Sequence, residues 1–180
     1  MAFFNEDTLK KQIKSGEFSR VYLIYGDEGY LKQFYANQIC NKTVDKDFAD
    51  FNLKKLDGKE TSLNEIYDCV SSFPMMAEYT CTLVRDSPLN TFAGDRGKFD
   101  SDFQGMVTDI PESSVLIFWM DTIDVDEKDK KWSAVINLID GVGACVKLDK
   151  RTRSALEKLL VTSAAKKECT LSREMAGYII

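Results

Sequence analysis

The chain of 180 residues contains no histidine. That absence removes Ser-His and Cys-His dyads, a histidine general base and every histidine-ligated metal site, and with them a large share of hydrolase and metalloenzyme chemistry. Cysteine is present without a pairing pattern: Cys40, Cys69, Cys81, Cys145 and Cys169 lie far apart, are odd in number and nowhere form Cys-x-x-Cys. They therefore support neither a redox pair nor a zinc knuckle, and most sit among apolar neighbours, where a reduced cysteine acts as a small core residue. No apolar run approaches the roughly 20 residues needed to cross a bilayer. The opening Met1-Ala-Phe-Phe-Asn-Glu-Asp7 lacks the basic-then-apolar layout of a signal peptide, so a cytoplasmic location without a membrane partner is expected. An excess of positive charge is missing too. The net charge of −5 argues against nucleic-acid binding by bulk electrostatics, though it leaves room for a local basic patch.

An apolar fraction of 44% beside 29% charged residues is enough for a real core under a polar surface. Helix and strand patterns alternate through most of the chain. Leu9 and Ile13 predict a helix over residues 5–15, with Asn5 or Asp7 as N-cap and Gly16 as its stop. A strand over residues 21–25 is followed by a helix that places Leu31, Phe34, Tyr35 and Ile39 on one face. Phe51, Leu53 and Leu56 give a short strand ended by Asp57-Gly58. Residues 61–70 form the cleanest helix, with Leu63, Ile66, Tyr67 and Val70 in helical register and Thr61 or Ser62 as cap. A strand follows over 80–84, broken by Asp86-Ser-Pro88, and residues 89–104 read as a mobile loop leading into a short helix. Ser-Val-Leu-Ile-Phe-Trp-Met over 114–120 has the continuous apolar character of a strand covered on both faces. Trp132, Val135, Ile136 and Ile139 mark a helix over 127–139, and a last strand spans 144–148.

This alternation implies an α/β fold: a mostly parallel five-stranded sheet with helices on both faces. After Asp149 only helical pattern remains, with one stripe of Ala155, Leu156, Leu159, Leu160 and Ala164 and another begun by Met175, Ile179 and Ile180 after Ser172. A domain boundary is expected near residues 148–150. The chain stops on apolar residues in mid-pattern, as a fragment cut from a longer protein would. No internal repeat or low-complexity tract is visible.

The corner after the first strand, Gly26-Asp-Glu-Gly29, lies where a nucleotide-binding α/β protein carries its phosphate loop. That loop needs backbone N–H groups freed by glycines, a Lys for the terminal phosphates and a Ser or Thr for magnesium. Here Gly26 and Gly29 are present, the Gly-Lys-Ser/Thr is not, and Asp27 and Glu28 repel an approaching anion. Asp121, Asp124 and Asp126 after the central strand are a candidate magnesium set. Without a phosphate cradle opposite, loop and helix-cap roles account for them. The basic stretches Lys128-Asp-Lys-Lys131 and residues 147–153 read as solvated faces, and Tyr22, Tyr25 and Tyr30 as packing around the first strand with a hydroxyl at the surface.

The segment Ser71-Ser-Phe-Pro-Met-Met-Ala-Glu-Tyr79 is different. Pro74 ends the preceding helix, and Phe73, Met75 and Met76 crowd a connection that ought to be polar. Either they cap the core beneath the sheet edge, or they face outward as an aromatic-plus-methionine wedge of the kind that anchors protein interfaces.

Together, Val21-Tyr-Leu-Ile-Tyr-Gly-Asp-Glu-Gly-Tyr-Leu31, Asp50-Phe-Asn-Leu-Lys-Lys-Leu-Asp-Gly58 and Phe73-Pro-Met-Met-Ala-Glu78 resemble, in order and spacing, the N-terminal part of the delta subunit of the bacterial DNA polymerase III clamp loader. The resemblance implies an AAA+ type fold, with residues 1–148 as a RecA-like domain, 149–180 as a truncated helical lid, and the family's C-terminal collar absent. It implies no cofactor, no bound metal and no catalysis. The implied task is to hold the beta sliding clamp and help open its ring, alongside delta prime and the ATPase subunits, with DNA contact indirect or weak. The family's clamp-binding plug falls on Phe73, Met75 and Met76. Two methionines replace the usual Leu-Phe or Phe-Phe pair there, and Ala77 replaces a common glycine. Two other readings stay open: a divergent P-loop-like NTPase using Asp121 or Asp124, and a DNA-binding module of a replication or repair assembly.

Overall fold

Strands buried on both faces require apolar runs without polar alternation. Such runs form the middle of the sheet in the computed structural model, which describes residues 5–94 and 98–180. The strands are β1 (Val21–Tyr25), β2 (Leu53–Asp57), β3 (Thr80–Arg85), β4 (Ser114–Trp119) and β5 (Ala144–Lys147). Their order is β2-β3-β4-β1-β5 and every pairing is parallel. β1 and β4 are buried along their whole length, whereas edge strand β2 buries none of its residues fully.

The helices α1 (Glu6–Ser15) and α2 (Gly29–Thr43) cover one face, where Leu9, Tyr35 and Ile39 pack on Tyr22, Ile24 and Ile117. A four-residue helix, α3 (Ala49–Asn52), leads directly into β2. The helices α4 (Leu63–Val70), α5 (Ser101–Thr108) and α6 (Lys130–Val142) cover the other face, with Ile66, Phe103 and Ile139 against Leu23, Tyr25 and Phe118. Local chemistry sets the helix ends. The Asn5 side chain accepts from the Thr8 N–H, and Gly16 closes α1 with φ +80°. Ser62 and Glu65 form a reciprocal capping box at α4, and Asp129 accepts from the N–H groups of Lys131 and Trp132 at α6.

Several expectations change. On α2 the buried face is Lys32, Tyr35, Ala36, Ile39, Cys40 and Thr43, while Phe34 is exposed and stacked on Tyr30 at 6.1 Å. The stripe that packs on the sheet runs through Tyr35, Ala36, Ile39 and Cys40, which leaves Phe34 beside it in solvent. Phe51 belongs to α3 and is exposed; the strand begins only at Leu53. Residues 95–97 of the expected mobile loop lie outside the described residues. Around them, Leu89, Ala93 and Phe103 are buried, with Phe92 stacked on Phe103 at 5.1 Å. Aromatic burial thus outweighs the Gly- and Asp-rich composition there. α6 runs from Lys130 to Val142 rather than over 127–139, with its start set by the Asp129 cap. Tyr22 and Tyr25 do not form a cluster with Tyr30: the two-residue period of β1 sends them to opposite cores, and Tyr30 is exposed. Cys40, Cys81 and Cys145 are buried, Cys69 is half-buried and Cys169 is exposed.

The chain divides into two compact units, Met1–Leu148 and Asp149–Ile180. The second holds α7 (Arg153–Lys166), capped by Thr152, and α8 (Arg173–Ile179), capped by Ser172. Glu157 joins the two helices, 3.5 Å from Arg153 and 2.9 Å from Arg173. Among the described residues no helix is long and apolar enough to cross a membrane.

Candidate protein-interaction site

In an open parallel sheet, ligands bind outside the carboxyl ends of the strands, where successive connections leave toward opposite faces. Here that place lies between β1 and β4, because α2 and α6 fall on opposite faces. Gly26 ends β1 with φ +113°, a conformation that L side chains rarely adopt. A Cβ at this position would stand 2.5 Å from the Leu148 carbonyl oxygen. Leu148 donates its N–H to Tyr25 O at 2.8 Å and accepts from the Glu28 N–H at 2.9 Å. The chain leaving β5 therefore lies against the turn and engages an amide at the start of α2.

The loop after β4 bounds the other side, and a buried carboxylate holds it. Asp86 follows β3 with φ +55°. Its Oδ1 accepts from the N–H groups of Asp121 (2.8 Å), Thr122 (2.8 Å) and Ile123 (3.2 Å), and its Oδ2 from the Thr122 hydroxyl (2.7 Å). Burial pushes the Asp86 carboxyl up, but the hydrogen bonds from Thr122, Ile123 and Asp121 together hold it below its ordinary value. Between corner and loop is a crevice of about 270 Å³. Its lysine, Lys32, is buried and donates to the Asp121 carbonyl at 3.3 Å. The carboxylate of Asp121 pairs with Arg85, and that of Asp126 accepts from the Lys128 N–H at 2.9 Å. Asp27 stays exposed at the mouth. The candidate magnesium carboxylates do not converge. Among the described residues no three His, Cys, Asp or Glu side chains come together in a way that could hold a metal ion.

The connection from α4 to β3 is held at both ends. Val70 O accepts from the buried Ser114 hydroxyl at 2.6 Å, and that hydroxyl lies 2.8 Å from the Thr80 hydroxyl. Thr80 N–H donates to Ser113 O at 2.8 Å. Midway, Asn52 at the end of α3 reaches under the connection with 1% of its surface exposed. Its Oδ1 accepts from the Met75 N–H at 2.7 Å, and its Nδ2 donates to Met75 O at 2.8 Å and Phe48 O at 3.1 Å. Met76 then takes φ +52°. Phe73 is 89% exposed, Met75 55% and Met76 82%, so capping of the core does not account for them. Met76 lines an open hollow of about 530 Å³ together with Lys42, Asp45, Lys46, Phe48 and Glu78. Three large apolar side chains are thus held in water on a fixed backbone.

Two residues that organise these features escaped the sequence. Asp86 carries a weak signal, since an Asp before Ser-Pro suits a left-handed turn position, but nothing near it indicates three amides to be accepted. Asn52 carries none: flanked by Phe51 and Leu53, it reads as one polar position of a strand.

The parallel order, the helices on both faces and the glycine turn from β1 into α2 define a RecA-like domain of the AAA+ type. A solved structure of the Bacillus subtilis DNA clamp loader delta protein superposes with a TM-score of 0.71 at 23% identity, over 94% of this chain and 50% of that one. A DNA polymerase III gamma subunit-related protein from Thermotoga maritima superposes at 0.52 with 14% identity, over 95% of this chain and 57% of the other. Both likenesses concern the fold. The particular family follows from sequence. The model of the DNA polymerase III delta subunit matches residues 22–141, and the chain belongs to that family. DNA polymerase III subunit delta of Bacillus subtilis (strain 168) is 36% identical over 76 residues, which are 42% of this chain and 22% of that protein. The chain spans about half the length of the solved delta protein.

Proposed function

We propose that the first unit is the clamp-gripping arm of a clamp-loader delta subunit, a non-catalytic part that binds the beta sliding clamp and helps open or hold open its ring. Phe73, Met75 and Met76 insert into an apolar pocket of the clamp, and the subunit works in the cytoplasm beside delta prime and the ATPase subunits, which supply the nucleotide cycle. The second unit is the beginning of the helical lid. The observation that carries this reading is the outward projection of three large apolar side chains from a connection fixed at both ends and in its middle. The crevice at Gly26 supports the non-catalytic part of the proposal, because Leu148 occupies the turn and Lys32 serves a backbone carbonyl.

Burying a methionine side chain is worth about 1.5–3 kcal/mol. Met76 has most of its surface left to bury and Met75 about half. Replacing both with Ala therefore weakens clamp binding by about 3 kcal/mol, roughly a hundredfold. Surface plasmon resonance against the immobilised sliding clamp reads this directly. An affinity within about threefold of wild type overturns the assignment of the wedge. A thermal-shift titration with ATP and magnesium addresses the NTPase alternative: a Tm that climbs with ligand concentration contradicts the non-catalytic reading.

A further inference from the structure

We propose that Asn52 is the positioning residue of the wedge: its buried carboxamide grips the Met75 peptide from below and holds Met75 and Met76 in their outward conformation before any partner arrives. The inference rests on the clamp-gripping reading and adds a residue that touches no partner. An asparagine side chain offers one carbonyl acceptor and two N–H donors. Here the carbonyl takes the Met75 N–H, and the amide nitrogen serves Met75 O and Phe48 O. The pair of bonds to Met75 copies the way one strand residue engages another, so a side chain replaces a neighbouring strand. Asn52 is itself anchored, because it ends α3, and Leu53 begins β2 while donating its N–H to Ala49 O. The wedge is thereby tied to the sheet edge.

Among the described residues, no other hydrogen bond holds the main chain of residues 73–79. Met76 sits at φ +52°, a conformation unfavourable for a residue with a side chain and one that needs its surroundings to impose it. Fixing the preceding residue, Met75, at both its N–H and its carbonyl supplies that constraint. Without it the connection samples other conformations, and the apparent dissociation constant rises in inverse proportion to the competent fraction. Preorganisation of this kind acts on affinity by removing the cost of ordering at the moment of binding.

The test is a double-mutant cycle in the full chain, read as affinity for the sliding clamp together with hydrogen exchange at the Met75 amide. Asn52→Ala is expected to weaken binding about tenfold and to speed exchange at Met75. The same change made in the Met75→Ala/Met76→Ala background is expected to cost nothing more, since Asn52 acts through those side chains. Asn52→Asp has the same size and keeps the acceptor for the Met75 N–H while losing both donors. It also sets a buried carboxylate oxygen against the Met75 and Phe48 carbonyls, so its loss is at least that of the alanine variant, and whichever of the two folds serves the test. If the double methionine variant weakens binding while both folded Asn52 variants bind as wild type does, the positioning role is refuted and the wedge stands. Equal losses in the two backgrounds refute it as well, because Asn52 then acts elsewhere. If the double methionine variant itself binds normally, the wedge reading fails and this inference fails with it.

Discussion

Asp86 holds the loop after β4 in place, and its two oxygens divide the work in a way that two substitutions can separate. Asp86→Ala strips the acceptor from the amides of Asp121, Thr122 and Ile123 and the partner from the Thr122 hydroxyl. A hydrogen bond to a charged group contributes about 1.5–3 kcal/mol, and water regains part of that where the loop is accessible. Left-handed backbone at this position adds about 1 kcal/mol against alanine. The expected loss is about 4 kcal/mol. Asp86→Asn keeps Oδ1 for the three amides, tolerates the left-handed backbone, and lets the Thr122 hydroxyl turn round to accept from the new amide. It gives up only the charge facing Lys59 at 3.6 Å and Arg85 at 3.8 Å, both about half exposed, so it costs about 1 kcal/mol. The charge contribution also has a defined pH dependence. The folded carboxyl lies below its ordinary value of 3.8, so the ionised form's stabilisation is complete above that value and is lost as pH falls through the folded one. The gap between wild type and Asp86→Asn therefore closes on acidification. Urea denaturation followed by tryptophan fluorescence measures all of this in the first unit, because Trp119 and Trp132 both belong to it. Equal losses for Asn and Ala, or an Asn gap that does not narrow as pH falls below 3.8, refute the division of labour.

Two further outcomes follow from packing. Gly26→Ala places a Cβ against the Leu148 backbone at a φ of +113° and is expected to destabilise the first unit by more than about 3 kcal/mol; a Tm within a few degrees of wild type in a thermal melt contradicts this. Alkylation with iodoacetamide at neutral pH, followed by peptide mass spectrometry, is expected to modify Cys169 first and Cys69 more slowly, leaving Cys40, Cys81 and Cys145 intact until denaturant is added. Burial pushes the Cys145 thiol up to about 12, and the Cys40 contact together with burial pushes Cys81 up. Rapid labelling of Cys145 in the native state rules out its place in the core.

The class of fold was legible because each central strand needs apolar side chains on both faces. Residues 114–120 and 21–25 could satisfy nothing but a covered parallel sheet once helices alternated with them. Capping was legible for a similar reason, since Asn5 and Ser62 act within one turn of their own positions. The family was legible through short motifs that pin the corner at Gly26 and the connection at Phe73 in one order. Burial of individual aromatics was less so. Phe34 and Phe51 look like core residues and are exposed, whereas Lys32 looks like surface and is buried. Those outcomes depend on which neighbour reaches a given face.

By itself, then, the sequence determined the alternation of elements, the lack of a phosphate-binding loop and the presence of an apolar connection after α4. These are properties of residue types and of neighbours within a few positions, where sterics and local hydrogen bonds decide. Tertiary structure alone decided that Phe73, Met75 and Met76 point outward, and that Asn52, 23 residues upstream of Met75, bonds both the N–H and the carbonyl of Met75. It also decided that Asp86 binds amides 35 to 37 residues further on and that Leu148 lies against Gly26. Each of these contacts joins segments that only the closure of the parallel sheet brings together.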